Sequence, residues 1–163
     1  MQDMRSTDVL NPYKEQQISY YDKSTRKVLI SDREVPFPEG KLIVSRTDLE
    51  GIITHANQSF VEMSAYSEQE IIHAPHYILR HPDMPRAAFK DLWDTIRCKK
   101  KWHGYVKNLR KDGAYYWVYA TVIPNIRAGE IVGYTSVRRK PSRLKVRECT
   151  QLYAQMLKEE QNQ

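Results

Sequence analysis

The sequence predicts an α+β domain built on antiparallel strand pairs, and three observations predict it. Two stretches, Leu42 to His55 and Trp102 to Arg138, read as strands joined by tight turns. Between them Ala88, Phe89, Leu92, Trp93 and Ile96 recur at helical spacing. Turn residues close each strand pair, Thr47-Asp48-Leu49-Glu50-Gly51 in the first and Asp112-Gly113 in the second. The order is two strands, helices, three strands.

Residues 1–36 mix Asn, Gln, Ser and Tyr with six basic and six acidic side chains and show little periodicity. Val28 to Ile30 is compatible with a short strand or a helical turn. Pro36-Phe37-Pro38-Glu39-Gly40 punctuates the chain, and a boundary is expected there, leaving 1–36 as an N-terminal extension. Leu42-Ile43-Val44 and Ile52-Ile53-Thr54-His55 form the first hairpin. Asn57 is a suitable N-cap for a short helix carrying Phe60, Val61 and Met63, and Ser67-Glu68-Gln69-Glu70 is a capping-box pattern opening another. Asp83-Met84-Pro85 then starts the strongest helix, with Asp83 as its expected cap. Strands follow at Trp102 to Arg110, at Tyr115 to Ile123, ending at Pro124, and at Ile131 to Arg138. Beyond Pro141 a helix carries Cys149, Leu152, Tyr153 and Met156 as a narrow apolar stripe, to lie back on the domain or pair with a copy of itself.

With 163 residues, 40% hydrophobic and 28% charged, the chain supports one core. No apolar run approaches the roughly 18 to 20 residues that cross a bilayer, so no membrane span is expected within it. The start lacks the apolar stretch of a secretory signal and only Cys98 and Cys149 can oxidise, so the cytosol is the expected compartment and zinc is not suggested. The net charge is +6. Its surplus concentrates in Arg97, Lys99, Lys100, Lys101, Lys107, Arg110 and Lys111, interleaved with Trp102 and Tyr105. Nucleic-acid binding is one reading. Solvated faces of a helix end and a hairpin are the favoured one, because the cations alternate with residues that face a core.

Alternation along the second sheet segment separates two faces. Trp102, Gly104, Val106 and Asn108 share the inward face with Tyr116, Val118, Ala120 and Val122. Small residues beside large ones either pack closely or leave room for a flat ligand. Asn108 among inward positions needs partners for its carboxamide, from the backbone or from the polar edge of a heterocycle. Arg80-His81-Pro82-Asp83 supplies a fork donor and an imidazole able to reach a cofactor or its phosphates, or is simply a loop before the helix. No phosphate-binding glycine loop, nucleophile elbow, His-Glu-x-x-His or paired-cysteine motif is present, so catalysis is not expected. The five histidines are scattered with no i, i+4 pair on a helix, which gives no chelating site but leaves a haem ligated by one of them open.

Thr54-His55-Ala56-Asn57-Gln58-Ser59-Phe60, Arg80-His81-Pro82-Asp83-Met84-Pro85, Val106-Lys107-Asn108, Lys111-Asp112-Gly113 and Tyr116-Trp117-Val118 resemble the PAS domain of bacterial aerotaxis receptors over about residues 40–140. The segment before residue 36 carries no such likeness. The resemblance implies a PAS fold, a five-stranded antiparallel sheet with helices across one face and noncovalent FAD in the cleft between them. It also implies that Asn108 bonds the polar edge of the isoalloxazine, that Trp102 and Tyr116 line the ring pocket, and that Arg80 and His81 support the cofactor. Asn57, Phe89 and Trp93 are further pocket candidates. It divides the chain into the extension 1–36, a sensor domain 37–140 and an output helix 141–163, and implies a redox or energy sensor in aerotaxis-type signal transduction, not an enzyme. FAD and a second copy or another signalling domain are the expected partners. A PAS module without flavin, serving dimerisation or binding haem or a small metabolite, is the alternative. Light-sensing flavin relatives use a cysteine beside the ring, and residues 57–96 contain none. The family continues into a membrane anchor and a signalling coiled coil, which these residues lack. The chain is therefore expected to be the sensing piece of a larger receptor or a protein that signals to another chain.

Overall fold

A computed structural model describes all residues from Met1 to Gln163. The N-terminal segment, aperiodic in sequence, is a hairpin: β1 (Lys14–Ser19) pairs antiparallel with β2 (Thr25–Ile30), Lys14 opposite Ile30. Only Ile18 is buried in β1, so no alternation marks the strand. Met4, Val9, Ile18, Tyr20, Val28 and Leu29 form a small second core closed by Leu109 of the main sheet. The hairpin is tied to that sheet through backbone bonds from Ser31 N to Gly113 O (2.9 Å) and Val35 N to Tyr115 O (2.8 Å). Gly113 is required at this junction: it has φ +83°, and a Cβ there would lie 2.7 Å from Val9 and 3.0 Å from the Leu29 carbonyl.

The main sheet holds β3 (Ile43–Thr47), β4 (Ile53–Ala56), β5 (Trp102–Leu109), β6 (Tyr115–Arg127) and β7 (Glu130–Arg139), all antiparallel in the spatial order β4-β3-β7-β6-β5. Asp48 builds the first turn by accepting from Glu50 N and Ile52 N, each 2.9 Å. Contrary to expectation, β6 runs through Pro124. Its neighbour β5 begins at Trp102, opposite Val122, so beyond that point β6 is an edge on that side and the missing amide hydrogen leaves no ladder bond unmade.

Between β4 and β5 lie α1 (Gln58–Ser64), α2 (Glu68–Ile71), a 3-10 turn (His76–Leu79) and α3 (Arg86–Arg97). Ser67 and Glu70 complete the capping box on α2. Asp83 does not cap α3. Pro85 occupies the N-cap position, and the Asp83 carboxylate instead accepts from Lys107 Nζ at 2.8 Å. The α3 amide of Ala87 donates to Glu160, near the end of α4 (Arg143–Gln161), at 2.9 Å. The main core lies between these helices and the inward sheet face and includes Phe60, Met63, Ile71, Leu79, Ile96, Tyr116 and Val118.

The helix α4 folds back on the outer sheet face. Its Val146 is buried, Tyr153 stacks on Trp117 (centroids 6.2 Å), and the Tyr153 hydroxyl donates to Tyr105 O at 2.6 Å. Leu152, counted in the expected stripe, is instead 54% exposed, because the docked face is set by Val146, Cys149, Tyr153 and Met156. The basic stretch is divided rather than continuous: Lys107 bonds Asp83, Lys111 bonds Glu70, Arg110 bonds Asp112, and Arg97 lies over the Trp93 ring. No helix is long and apolar enough to cross a membrane.

Candidate functional site

The inward residues of β5 and β6 and the apolar stripe of α3 do not close completely on one another. Trp102, Val106, Asn108, Ala120 and Val122 face Phe89, Leu92, Trp93 and Ile96 across a cavity of about 150 Å³. Of the eight candidate residues, Asn108, Trp102, Arg80, Phe89 and Trp93 line it, whereas Asn57, His81 and Tyr116 do not. Gly104 contributes no space. The Trp102 indole lies across it, with ring carbon Cη2 2.2 Å from where a Cβ would sit, and Trp102 Nε1 donates to Asp91 of α3 at 2.8 Å. The glycine thus lets an indole lie flat on its own strand and pin sheet to helix.

Asn108 is 4% exposed and lines the cavity. Tyr116, its register partner on β6, is wholly buried beside it with an unpartnered hydroxyl. Burial pushes that phenol up to about 12, so it stays protonated. Asn57 turns out to be structural: its Oδ1 accepts from Phe60 N (3.0 Å) and Val44 N (3.1 Å) and its Nδ2 donates to Leu42 O (2.9 Å), which joins β3 to α1.

Arg80 pairs with Asn108 through an isolated antiparallel bridge, which brings the loop before α3 to the cavity wall. Its guanidinium lies 5.0 Å over the Phe89 ring, its Nε is buried without a partner, and no carboxylate lies within ion-pair distance of it. His81 points elsewhere. Its Nδ1 accepts from Asp83 N at 3.0 Å, and its ring meets Tyr115 edge-on. Burial, then the Lys107 charge, push the His81 imidazole well below its usual range against the pull of Asp83, so it is neutral and organises the loop.

The alternation that identifies β5 and β6, continued into β7, turns Tyr134, Ser136 and Arg138 inward opposite Pro124, Val122 and Ala120. The sequence places Ile131 to Arg138 on a strand without marking its inward face, because both alternate sets in it mix apolar and polar residues. Arg138 is the cavity's strongest charge: 3% exposed, it donates to Ser45 Oγ (3.0 Å) and His76 Nε2 (2.6 Å), while Nη1 has no partner. Burial lowers it to about 10, so it remains a cation at neutral pH. Burial and the Arg138 charge push His76 down to about 3, so it is neutral and can accept. The His76 ring lines the cavity. Nothing in the sequence marked His76, Tyr20, Tyr21 or Tyr77 as cavity residues, since loop residues have no period. No group of three His, Cys, Asp or Glu side chains comes together as a metal site.

An apolar slot with a buried carboxamide and a buried guanidinium without an acidic partner suits a planar ligand with a polar, acceptor-rich or anionic edge. Comparison with known proteins agrees with the architecture. Residues 53–138 match the family model described as PAS fold. The chain is 42% identical over 124 residues, 76% of its length, to an aerotaxis receptor of Escherichia coli (strain K12). It is 26% identical over 102 residues, 62% of its length, to a nitrogen fixation regulatory protein of Klebsiella pneumoniae. These matches span 24% and 21% of the respective relatives. The light-state structure of the blue-light photoreceptor Aureochrome1 LOV superimposes with TM-score 0.59 at 25% identity, covering 74% of this chain and 91% of that one. A five-stranded antiparallel sheet with helices across one face, matched over more than half the chain, identifies it as a member of the PAS-fold family.

Proposed function

We propose that this chain is a flavin-binding PAS sensor domain, holding noncovalent FAD between sheet and helices and reporting redox or energy state to a signalling partner. The observation that carries the reading is the meeting in one apolar slot of Asn108 and Arg138, both buried, the second with its Nη1 unpartnered. The residues fit the group. Trp102, Phe89, Leu92 and Trp93 supply flat apolar walls, Asn108 offers donor and acceptor to a heterocycle edge, and Arg138 offers a fixed positive charge. Flavin supplies reversible one- or two-electron chemistry in which the ring gains negative charge or a proton.

The protein's own residues then do the sensing. Arg138 favours added negative charge in the slot because no carboxylate neutralises it. Asn108 can rotate its carboxamide to exchange donor for acceptor, and its neighbour Tyr116 and the paired strands β5 and β6 feel that change directly. Strand β7 leads through Arg139 to α4, the proposed output helix, and contacts with another copy or a signalling domain receive the change. Such a device is a two-state element biased by a bound group. Haem ligation is disfavoured at His76, the one histidine lining the cavity, because its Nε2 faces a guanidinium 2.6 Å away that would repel a metal cation.

The absorption spectrum of the protein as isolated tests the reading. Flavin bands released by heat or acid are expected. A colourless protein that takes up no flavin after refolding with excess cofactor overturns it.

A further inference from the structure

The helix α3 begins without a cap of its own. Pro85 holds the N-cap position in an extended conformation (φ -72°, ψ 148°) and has no side chain able to accept, and the first turn carries no acidic residue. The Asp83 carboxylate is drawn off by Lys107. The acceptor comes instead from the far end of the chain. Glu160, in the last turn of α4, places Oε1 2.9 Å from Ala87 N, the second helical position, and Oε2 3.7 Å from Arg86 Nε, with its side chain 17% exposed. That position is one of the two amides that an N-cap side chain ordinarily bonds. To reach it, α4 stretches across the domain. Arg143 at its start pairs with Glu34 of the extension through two bonds (2.5 and 3.1 Å), and Tyr153 bonds the edge strand β5 at Tyr105 O. Glu160 then meets the helix layer beyond that edge.

We propose that Glu160 is a positioning residue for the cavity: it supplies from α4 the cap that α3 lacks, so that the docking of α4 and the order of the cavity wall are one coupled equilibrium. Phe89, Leu92, Trp93 and Ile96 form that wall, and they stand on α3 directly after the capped turn. A carboxylate at a helix N-terminus satisfies an amide that has no partner within the helix and meets the positive end of its dipole. Without it the first turn frays, and Phe89 is the wall residue nearest to it. Coupling of this kind is reciprocal. A ligand that orders α3 strengthens the docking of α4, and detachment of α4 loosens the wall. The link runs through the helix layer, separate from the connection along β7, and it depends on the last turn of α4 rather than on the stripe that packs against the sheet. The proposal rests on the flavin reading only for the ligand that fills the cavity.

The test follows amide exchange of the full chain, flavin-free and loaded with FAD, for the wild type, Glu160→Ala, Glu160→Gln and the double variant Glu160→Ala with Pro85→Ser. Glu159→Ala, at an exposed neighbour whose carboxylate accepts from Gln155, is the control. Glu160→Ala should speed exchange at Ala87 and along the start of α3 roughly fivefold, the scale of a lost N-cap. It should weaken FAD uptake, read by flavin fluorescence, by up to the same factor. Glu160→Gln keeps an acceptor without the charge and should fall between. Residue 85 already has N-cap backbone angles, so Pro85→Ser should restore α3 and FAD uptake while the last turn of α4 stays fast-exchanging. FAD should slow exchange in that last turn in the wild type but not in Glu160→Ala. Unchanged α3 exchange in Glu160→Ala, or an equal change in Glu159→Ala, overturns the cap. Faster α3 exchange with unchanged FAD uptake overturns the positioning role. Failure of the wild type to take up FAD overturns the flavin reading, while exchange at Ala87 still decides the cap.

Discussion

Gly104→Ala tests how the cavity wall is made. The new Cβ would stand 2.2 Å from Cη2 and 2.4 Å from Cζ2 of Trp102, far inside van der Waals contact, so the indole must leave the strand surface. Leaving breaks its bond to Asp91, the link from β5 to α3. Forcing a ring off its packed position costs about 1 to 3 kcal/mol, and losing a hydrogen bond to a largely exposed carboxylate about 1 kcal/mol more. The displaced indole has the cavity beside it, since Trp102 itself lines it. The expected result is a loss of about 2 to 4 kcal/mol in chemical denaturation, a changed tryptophan emission and weakened ligand uptake. A variant within about 0.5 kcal/mol of the wild type, the range of an inert surface substitution, with unchanged emission and uptake, would show that Trp102 does not occupy the Gly104 surface.

Asn108→Ala should leave the apoprotein folded and cost about 1 to 3 kcal/mol in flavin binding, read by titration; unchanged occupancy and reduction potential would return Asn108 to a packing role. Acid should destabilise the fold from pH 6.5 downward: His76, held near 3 in the folded state, takes up its proton more readily when unfolded, so its contribution is complete above 6.5 and is lost as pH falls toward 3. His81, lowered by burial, acts in the same direction, and His76→Gln, which keeps an acceptor for Arg138, should flatten the pH dependence between 6.5 and 4.5 in urea melts. Tyr153→Phe removes the bond to Tyr105 O and should cost about 1 kcal/mol, seen as faster amide exchange confined mainly to α4. Oxidised and reduced protein should likewise differ in exchange across residues 130–160, and identical protection there would mean that any signal leaves by another surface.

Local chemistry determined much of the architecture. Turn residues at Asp48 to Gly51 and Asp112-Gly113, the capping box at Ser67 and Glu70, and alternation along Trp102 to Val122 are legible because each acts over a few neighbouring residues, and they place Asn108 on the inward face without any tertiary information. What lay beyond them depends on partners distant in the chain. The hairpin β1–β2 is nearly silent in sequence because β1 has a single buried position, and the small core it joins is closed by Leu109, about ninety residues on. Pro124 reads as a break, and only the absence of β5 beside it makes a proline acceptable there, while the mixed alternate sets of β7 leave Arg138's inward position unmarked. Asp83 looks like a cap until Lys107 draws its carboxylate away, and Gly104 looks like room for a ligand until Trp102, on the same strand, lies across it. Composition and period report which face a residue occupies. Whether a buried polar group is satisfied, or a small residue leaves space, is decided by side chains that tertiary packing brings from elsewhere, and the site is made of such groups.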